Sequence, residues 1–219
     1  AKLAAGVPGV GVPVVVDVHA MSRVATPDRS GPPVAAAAAV SGAVVPAVHA
    51  APAKVPSIWD GKMMWETFSK SAHGFSYPGP AGRLKAYVAI DTQCPDCMRL
   101  MEHIRPLHAK IDVVYCPIAW MNIHSDAQGA MIFASDKPWE VLDAQHEHFR
   151  DEGFRGLRYD ITKLSEKFRN WCWDNSKLHR RCGCRAVPYG VFKNSKGEYV
   201  PFDENLTTAE LAKIFEVTL

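Results

Sequence analysis

Leu84-Lys-Ala-Tyr-Val-Ala-Ile-Asp-Thr-Gln-Cys94-Pro-Asp-Cys97 decides how the rest of this chain is read. Its first seven residues, Leu84 to Ile90, are a β-rich run closed by Asp91. From Cys97 onward Met98, Leu100, Met101, Ile104 and Leu107 recur at helical spacing, and Pro106 is expected to kink that helix. Ile111 to Ile118 reads as the next strand. Two cysteines thus stand at a strand-to-helix junction, where unpaired backbone N–H groups and the positive end of the helix dipole converge. Such a position favours thiolate over thiol. Cys94 is therefore the expected nucleophile. Cys97, one turn further in, is expected to resolve a mixed disulfide by attacking Cys94. Pro95 suits a first helical turn. Asp96 is the unusual member, because a carboxylate beside a thiolate disfavours the charged sulfur and predicts a less oxidising couple.

Downstream, Ser125–Ser135 and Pro138–Arg150 are expected to be helical, with Pro138 in a first-turn position. Ile161–Trp171 and Asn175–Cys182 read as two further helices. Tyr189–Lys193 and Glu198–Pro201 bracket the turn residues Asn194-Ser-Lys-Gly197 as a hairpin. Thr207–Leu219 is the closing helix, capped by Thr207 or Thr208. Ahead of the hairpin stands Ala186-Val187-Pro188-Tyr189. A cis bond at Val187–Pro188 would turn the Val187 backbone toward the sulfurs and let it bind a substrate segment as an added strand.

Composition divides the chain near Pro56. Half of the 16 prolines lie at or before it, and all Trp, Tyr, Phe and Cys residues lie after it. Residues 1–56 are read as a low-complexity Ala/Pro/Val-rich segment without periodicity, and 57–219 as the folded domain. Within the first segment Met21-Ser-Arg23, the small apolar run Val34 to Val48 and Val48-His-Ala50 have the order of a secretory leader, about residues 21–50, with cleavage after Ala50. The chain of 219 residues is 47 % hydrophobic, enough for a sizeable core, and its net charge of +2 argues against a nucleic-acid partner. No apolar run reaches the length of a membrane span.

The CxxC at its strand-to-helix junction, Arg105-Pro106, the segment Ser125 to Pro138, Asp174-Asn-Ser-Lys-Leu178, Cys182-Gly183 and Val187-Pro188 resemble, in that order, the thioredoxin superfamily. Within it they resemble the periplasmic disulfide isomerases of the DsbC/DsbG branch, most closely the DsbG type of catalytic domain. The resemblance covers about Trp59 to Leu219. It implies an α/β thioredoxin-like fold with a helical insertion between a βαβ half and a ββα half. It also implies periplasmic thiol–disulfide exchange, by reduction or isomerisation, with no organic cofactor and no metal. The implied partners are cysteine-containing exported proteins and a membrane redox partner that resets the CxxC. Val187 stands where that branch usually has Thr, and Asp96 where it usually has an aromatic residue. Between Ala51 and Leu84 one amphipathic stretch, Trp59–Phe68, offers no dimerisation domain of the branch's kind, so a monomer with more reductase than isomerase activity is expected.

Four cysteines remain. A structural bridge from Cys172 to Cys182 or Cys184 is plausible, Cys116 reads as a buried thiol, and Cys182-Gly-Cys184 could instead be a second redox pair. His146 and His148 on one helix point in different directions and read as a solvated face; His103 and His108 read as surface residues. Outside enzyme chemistry, the alternative is a binding component of an envelope assembly whose CxxC is a structural bridge.

Overall fold

The structure, a computed structural model, describes residues 60–219. The low-complexity reading of 1–56, the leader at about 21–50 and the domain start at Ser57 lie outside the described residues.

A sheet with two apolar faces builds the domain. β1 (Phe75–Ser76), β2 (Leu84–Ile90), β3 (Ile111–Pro117), β4 (Tyr189–Lys193) and β5 (Tyr199–Phe202) form one sheet in the order β1-β3-β2-β4-β5. β2 and β3 are parallel; β1 with β3, β2 with β4, and β4 with β5 are antiparallel. Ala86, Val88 and Ile90 of β2, Ile111, Val113 and Tyr115 of β3, and Phe192 of β4 share one buried cluster. Ala89, Cys116, Tyr189 and Val191 belong to another. A two-residue period sends alternate side chains to opposite faces, so one sheet serves two cores. Pro201 is tolerated because β5 is an edge strand.

The first core is covered by α2 (Pro95–Ile104) and α6 (Thr208–Ile214), through Met98, Leu100, Met101, Ile104, Leu211 and Phe215. Burying each such Leu, Ile, Met or Phe side chain contributes roughly 1.5–3 kcal/mol. The second core is covered by α1 (Gly61–Ser71) through Met64 and Phe68. Between β3 and β4 run α3 (Ser125–Ala134), α4 (Pro138–Glu147) and α5 (Glu166–Arg181), the expected helical insertion. No helix among the described residues is long and apolar enough to cross a membrane.

Several expectations are corrected. The two helices read at Ile161–Trp171 and Asn175–Cys182 are a 3-10 turn, Ile161–Lys163, followed by the single helix α5. Asn175 and Ser176 favour helix ends by propensity, but here both find buried partners inside the helix. Asn175 accepts from His73 N at 2.9 Å and donates to the carbonyls of His73 and Pro117 at 2.7 and 2.9 Å. The Ser176 hydroxyl accepts from Ala119 N at 2.8 Å and donates to Cys172 O at 2.8 Å. Pro106 does not kink a longer helix: α2 stops at Ile104 and passes into the 3-10 turn Arg105–Leu107. The closing helix is also shorter than expected. Thr207 and Glu210 form its capping box, and it ends before Glu216, whose φ of 55° is left-handed.

The continuity of α5 removes the expected bridges from Cys172. Cys182 lies ten residue steps along the helix from Cys172, roughly 15 Å, against a limit near 7 Å between disulfide-bonded Cα atoms. Cys184 lies beyond the same helix end. All six cysteines are free thiols. Cys172 instead faces α3, which approaches so closely that a Cβ on Gly129 would stand 2.5 Å from its Sγ.

That contact makes a prediction. Replacing a helical Gly by Ala ordinarily stabilises a protein by roughly 1 kcal/mol. Gly129→Ala should instead destabilise this domain by about 1–3 kcal/mol in urea unfolding, the range for overpacking a core. The same substitution should cost much less in a Cys172→Ala background. A neutral or stabilising Gly129→Ala would contradict the close α3–α5 packing.

Candidate active site

Cys94 is the N-cap of α2, with extended backbone angles, and its Sγ accepts from Cys97 N at 3.4 Å. Pro95 follows at the first helical position, where its missing N–H leaves no helix bond unmade. Cys94 is 3 % exposed and Cys97 fully buried. The two thiols differ in acidity. A hydrogen bond from the Cys97 thiol is the largest influence on Cys94 and lowers its pKa; burial opposes this, and the N–H groups of Cys97 and Asp96 lower it further. The net shift is downward. Burial is the largest influence on Cys97 and pushes it well up, reinforced by the hydrogen bond with Cys94.

Asp96 acts in the direction its position suggests: its charge raises the Cys94 pKa, but more weakly than the burial and hydrogen bonds act. Its carboxylate is 47 % exposed and paired with Arg99 Nη2 at 2.8 Å, which blunts its field at the sulfur.

The Val187–Pro188 bond is cis, as expected. Val187 O lies 3.4 Å from Cys94 Sγ, so the chain's distant segment and the CxxC meet at one sulfur. His179, inside α5 and fully buried, donates from Nε2 to Ala186 O at 2.9 Å. It thereby fixes the residue preceding Val187. Burial holds its pKa down at about 4, so the ring is neutral near neutral pH. The Trp120 ring stands edge-on to it at 5.4 Å.

Beneath the cysteines lies Asp91, fully buried. Its Oδ1 accepts from Gln93 N at 2.8 Å and Ser125 Oγ at 2.9 Å; its Oδ2 accepts from Trp120 N at 2.7 Å and Met121 N at 2.9 Å. Its own N–H points to Cys97 Sγ at 3.3 Å. Burial raises the Asp91 pKa, and these four hydrogen bonds oppose the rise. Beside it three glutamines tie the CxxC loop to the insertion. Gln93 Nε2 donates to Gln128 Oε1 at 2.6 Å, and Gln145 Nε2 donates to Thr92 O and to Gln128 Oε1, both at 2.9 Å. Arg155 Nη1 completes the set by donating to Gln93 O at 2.8 Å.

Sequence reasoning named Cys94, Pro95, Asp96, Cys97, Val187 and Pro188, and the fold brings all six together. It missed Asp91 as a hydrogen-bonded anchor, His179 and the glutamines. The available signal was a polar residue on an apolar helix face, as Gln128 is within α3. Cys172, Cys182, Cys184 and Cys116 stand apart from the CxxC: Cys172 against α3, the other three in the α1 core. His146 and His148 take different carboxylates, Glu102 at 2.9 Å and Asp151 at 2.7 Å. His108 is not a surface residue as expected; it stacks on Tyr77 at 3.9 Å and burial holds its pKa down at about 4. Among the described residues no group of three His, Cys, Asp or Glu side chains could hold a metal ion.

No family model matches the sequence, and no curated protein does. The fold, however, has solved counterparts. It is similar to a periplasmic thioredoxin-like protein from Salmonella enterica serovar Typhimurium, at 14 % identity and TM-score 0.54, over 70 % of this chain and 94 % of that one. It is similar to the catalytic domain of Proteus mirabilis ScsC, at 16 % identity and TM-score 0.52, over 71 % and 96 %. A transitional conformation of the same ScsC matches at 17 % identity and TM-score 0.53, over 71 % and 77 %. The mixed five-stranded sheet flanked by helices is a thioredoxin-like fold.

Proposed function

We propose that this chain is a thiol–disulfide oxidoreductase acting on disulfides of exported proteins. One observation carries the proposal: Cys94 caps α2 with a lowered pKa, Cys97 is buried with a raised one, and Val187 O lies 3.4 Å from Cys94 Sγ. The Cys94 thiolate attacks one sulfur of a substrate disulfide. The other substrate sulfur leaves as a thiolate, and a mixed disulfide remains. Cys97 then loses its proton and attacks Cys94 Sγ, releasing the second substrate sulfur. The substrate gains two electrons and the domain is left with a Cys94–Cys97 disulfide. A membrane redox partner returns it to the dithiol. The same steps in reverse oxidise a substrate.

Val187 and Pro188 orient the substrate backbone, which lies along the loop as an added strand. Asp96 favours the reducing or isomerising direction, because its charge opposes the Cys94 thiolate. An exported setting is supported by the leader-like order of residues 21–50 and by the periplasmic protein with a similar fold. The folded domain of this reading begins near Ser57.

Cys94→Ser should reduce turnover in an insulin-reduction assay to background, and Cys97→Ser should accumulate mixed disulfides with substrate, seen as adducts on non-reducing gels. Full activity in Cys94→Ser would overturn the assignment and favour a binding component with a structural CxxC. Asp96→His should make the couple more oxidising when equilibrated with glutathione. It removes a carboxylate, frees Arg99 and adds a partly cationic ring, and all three stabilise the Cys94 thiolate and with it the reduced form. An unchanged potential would mean that the pairing with Arg99 already cancels Asp96.

A further inference from the structure

We propose that Cys182 and Cys184 are a second dithiol–disulfide couple, separate from the CxxC and closed within the turn that ends α5. The inference does not rest on the function proposed for Cys94 and Cys97.

The geometry comes from how α5 stops. Cys182 is its C-cap, with φ −74° and ψ 3°, and Gly183 follows at φ 81°. Cys182 N bonds to Leu178 O at 3.1 Å and Gly183 N to Arg180 O at 3.0 Å. A left-handed glycine after the cap reverses the chain tightly. Two residues apart, the Cα atoms of Cys182 and Cys184 can be no farther apart than about 7 Å even when extended, and the turn brings them closer. That is within the span a disulfide bridges. Both side chains enter the same buried cluster, and Cys184 lies within range of the charge on Cys182.

The surroundings also suit exchange. The turn is a thin cover: Arg181, Arg185 and Ala186 are exposed around it. Arg185 Nη1 donates to Cys184 O at 3.1 Å, which keeps a cation near Cys184. Burial raises the Cys182 pKa, and a hydrogen bond with Thr67 of α1 opposes that rise. Burial dominates at Cys184, whose pKa is pushed up to about 12. Cys182 is therefore the attacking thiol and Cys184 the resolving one. Neither can react while the turn is closed, so the step proceeds through local opening.

The oxidant is a small-molecule disulfide of the glutathione type. The Cys182 thiolate attacks one of its sulfurs, the other leaves as a thiolate, and Cys184 then loses its proton and displaces the first sulfur from Cys182 Sγ. One S–S bond forms in the protein and one breaks in the oxidant. The oxidant takes up the two electrons and becomes two thiols. Val187 lies three residues beyond Cys184, so the couple sits at the root of the loop that contacts Cys94.

Trypsin isolates the site, because residues 182–185 lie between Arg181 and the cleavage after Arg185, while Cys94 and Cys97 fall in a different peptide. The unaltered chain and a Cys94→Ser/Cys97→Ser variant are equilibrated over a series of reduced to oxidised glutathione, quenched with acid, denatured and tagged with a maleimide. The proposal expects both tags on peptide 182–185 to disappear together at one midpoint, leaving that peptide two hydrogens lighter, with the same midpoint in both proteins. Full tagging of both thiols at every ratio would overturn it. So would a cross-link from either thiol to Cys116, or a stable glutathione adduct in place of the internal bridge.

Discussion

The site depends on one buried carboxylate. Asp91 directly follows β2, and its two oxygens gather four donors: from the CxxC loop, from Trp120 and Met121 in the segment after β3, and from the first residue of α3. A hydrogen bond to a charged group contributes roughly 1.5–3 kcal/mol, so these four bonds fix the elements firmly relative to one another. The same residue's N–H faces Cys97 Sγ. The position of the resolving sulfur is therefore set by the group that ties the insertion to the sheet. Gln93, Gln128 and Gln145 extend that fixation outward, each amide satisfied within the protein.

On this frame the two thiols are made unlike by depth and capping. Cys94 receives donors from the start of α2, while at Cys97, one turn deeper, burial and the neighbouring Cys94 outweigh the single N–H of Asp91. The loop at Val187 reaches Cys94 from the far end of the sheet, and its approach is set by His179, which bonds Ala186 O, and by Trp120, whose backbone bonds Asp91. A closed path of contacts runs from Cys97 through Asp91, Trp120, His179 and the Ala186-Val187 segment back to Cys94.

The sheet and the CxxC were legible because their signals are local. β2 and β4 match the expected spans because alternation and turn residues mark both ends, and Thr207 with Glu210 is a capping box readable from the chain. α5 was misread because Asp174-Asn175-Ser176 looks like a helix boundary until His73, Pro117 and Ala119 supply partners from elsewhere. The same non-local origin hides His179, Gln93 and Gln145; only Gln128, on the apolar helix α3, carries a local sign of burial. The Cys172 pairing failed with the helix break on which it rested. Asp96 was read correctly in sign; its salt bridge to Arg99 follows from a spacing of three on a helix and was available to the reading.

The central claim is that Cys94 and Cys97 differ in acidity, with Cys94, the less buried of the two, the nucleophile. Its most direct test is the pH dependence of alkylation of the reduced protein by iodoacetamide, resolved by peptide. Cys94 should become reactive with a midpoint below the ordinary thiol range, while Cys97 stays unmodified across the whole range in which the domain is folded. Both cysteines reacting together at an ordinary thiol midpoint, or Cys97 reacting first, would contradict the account.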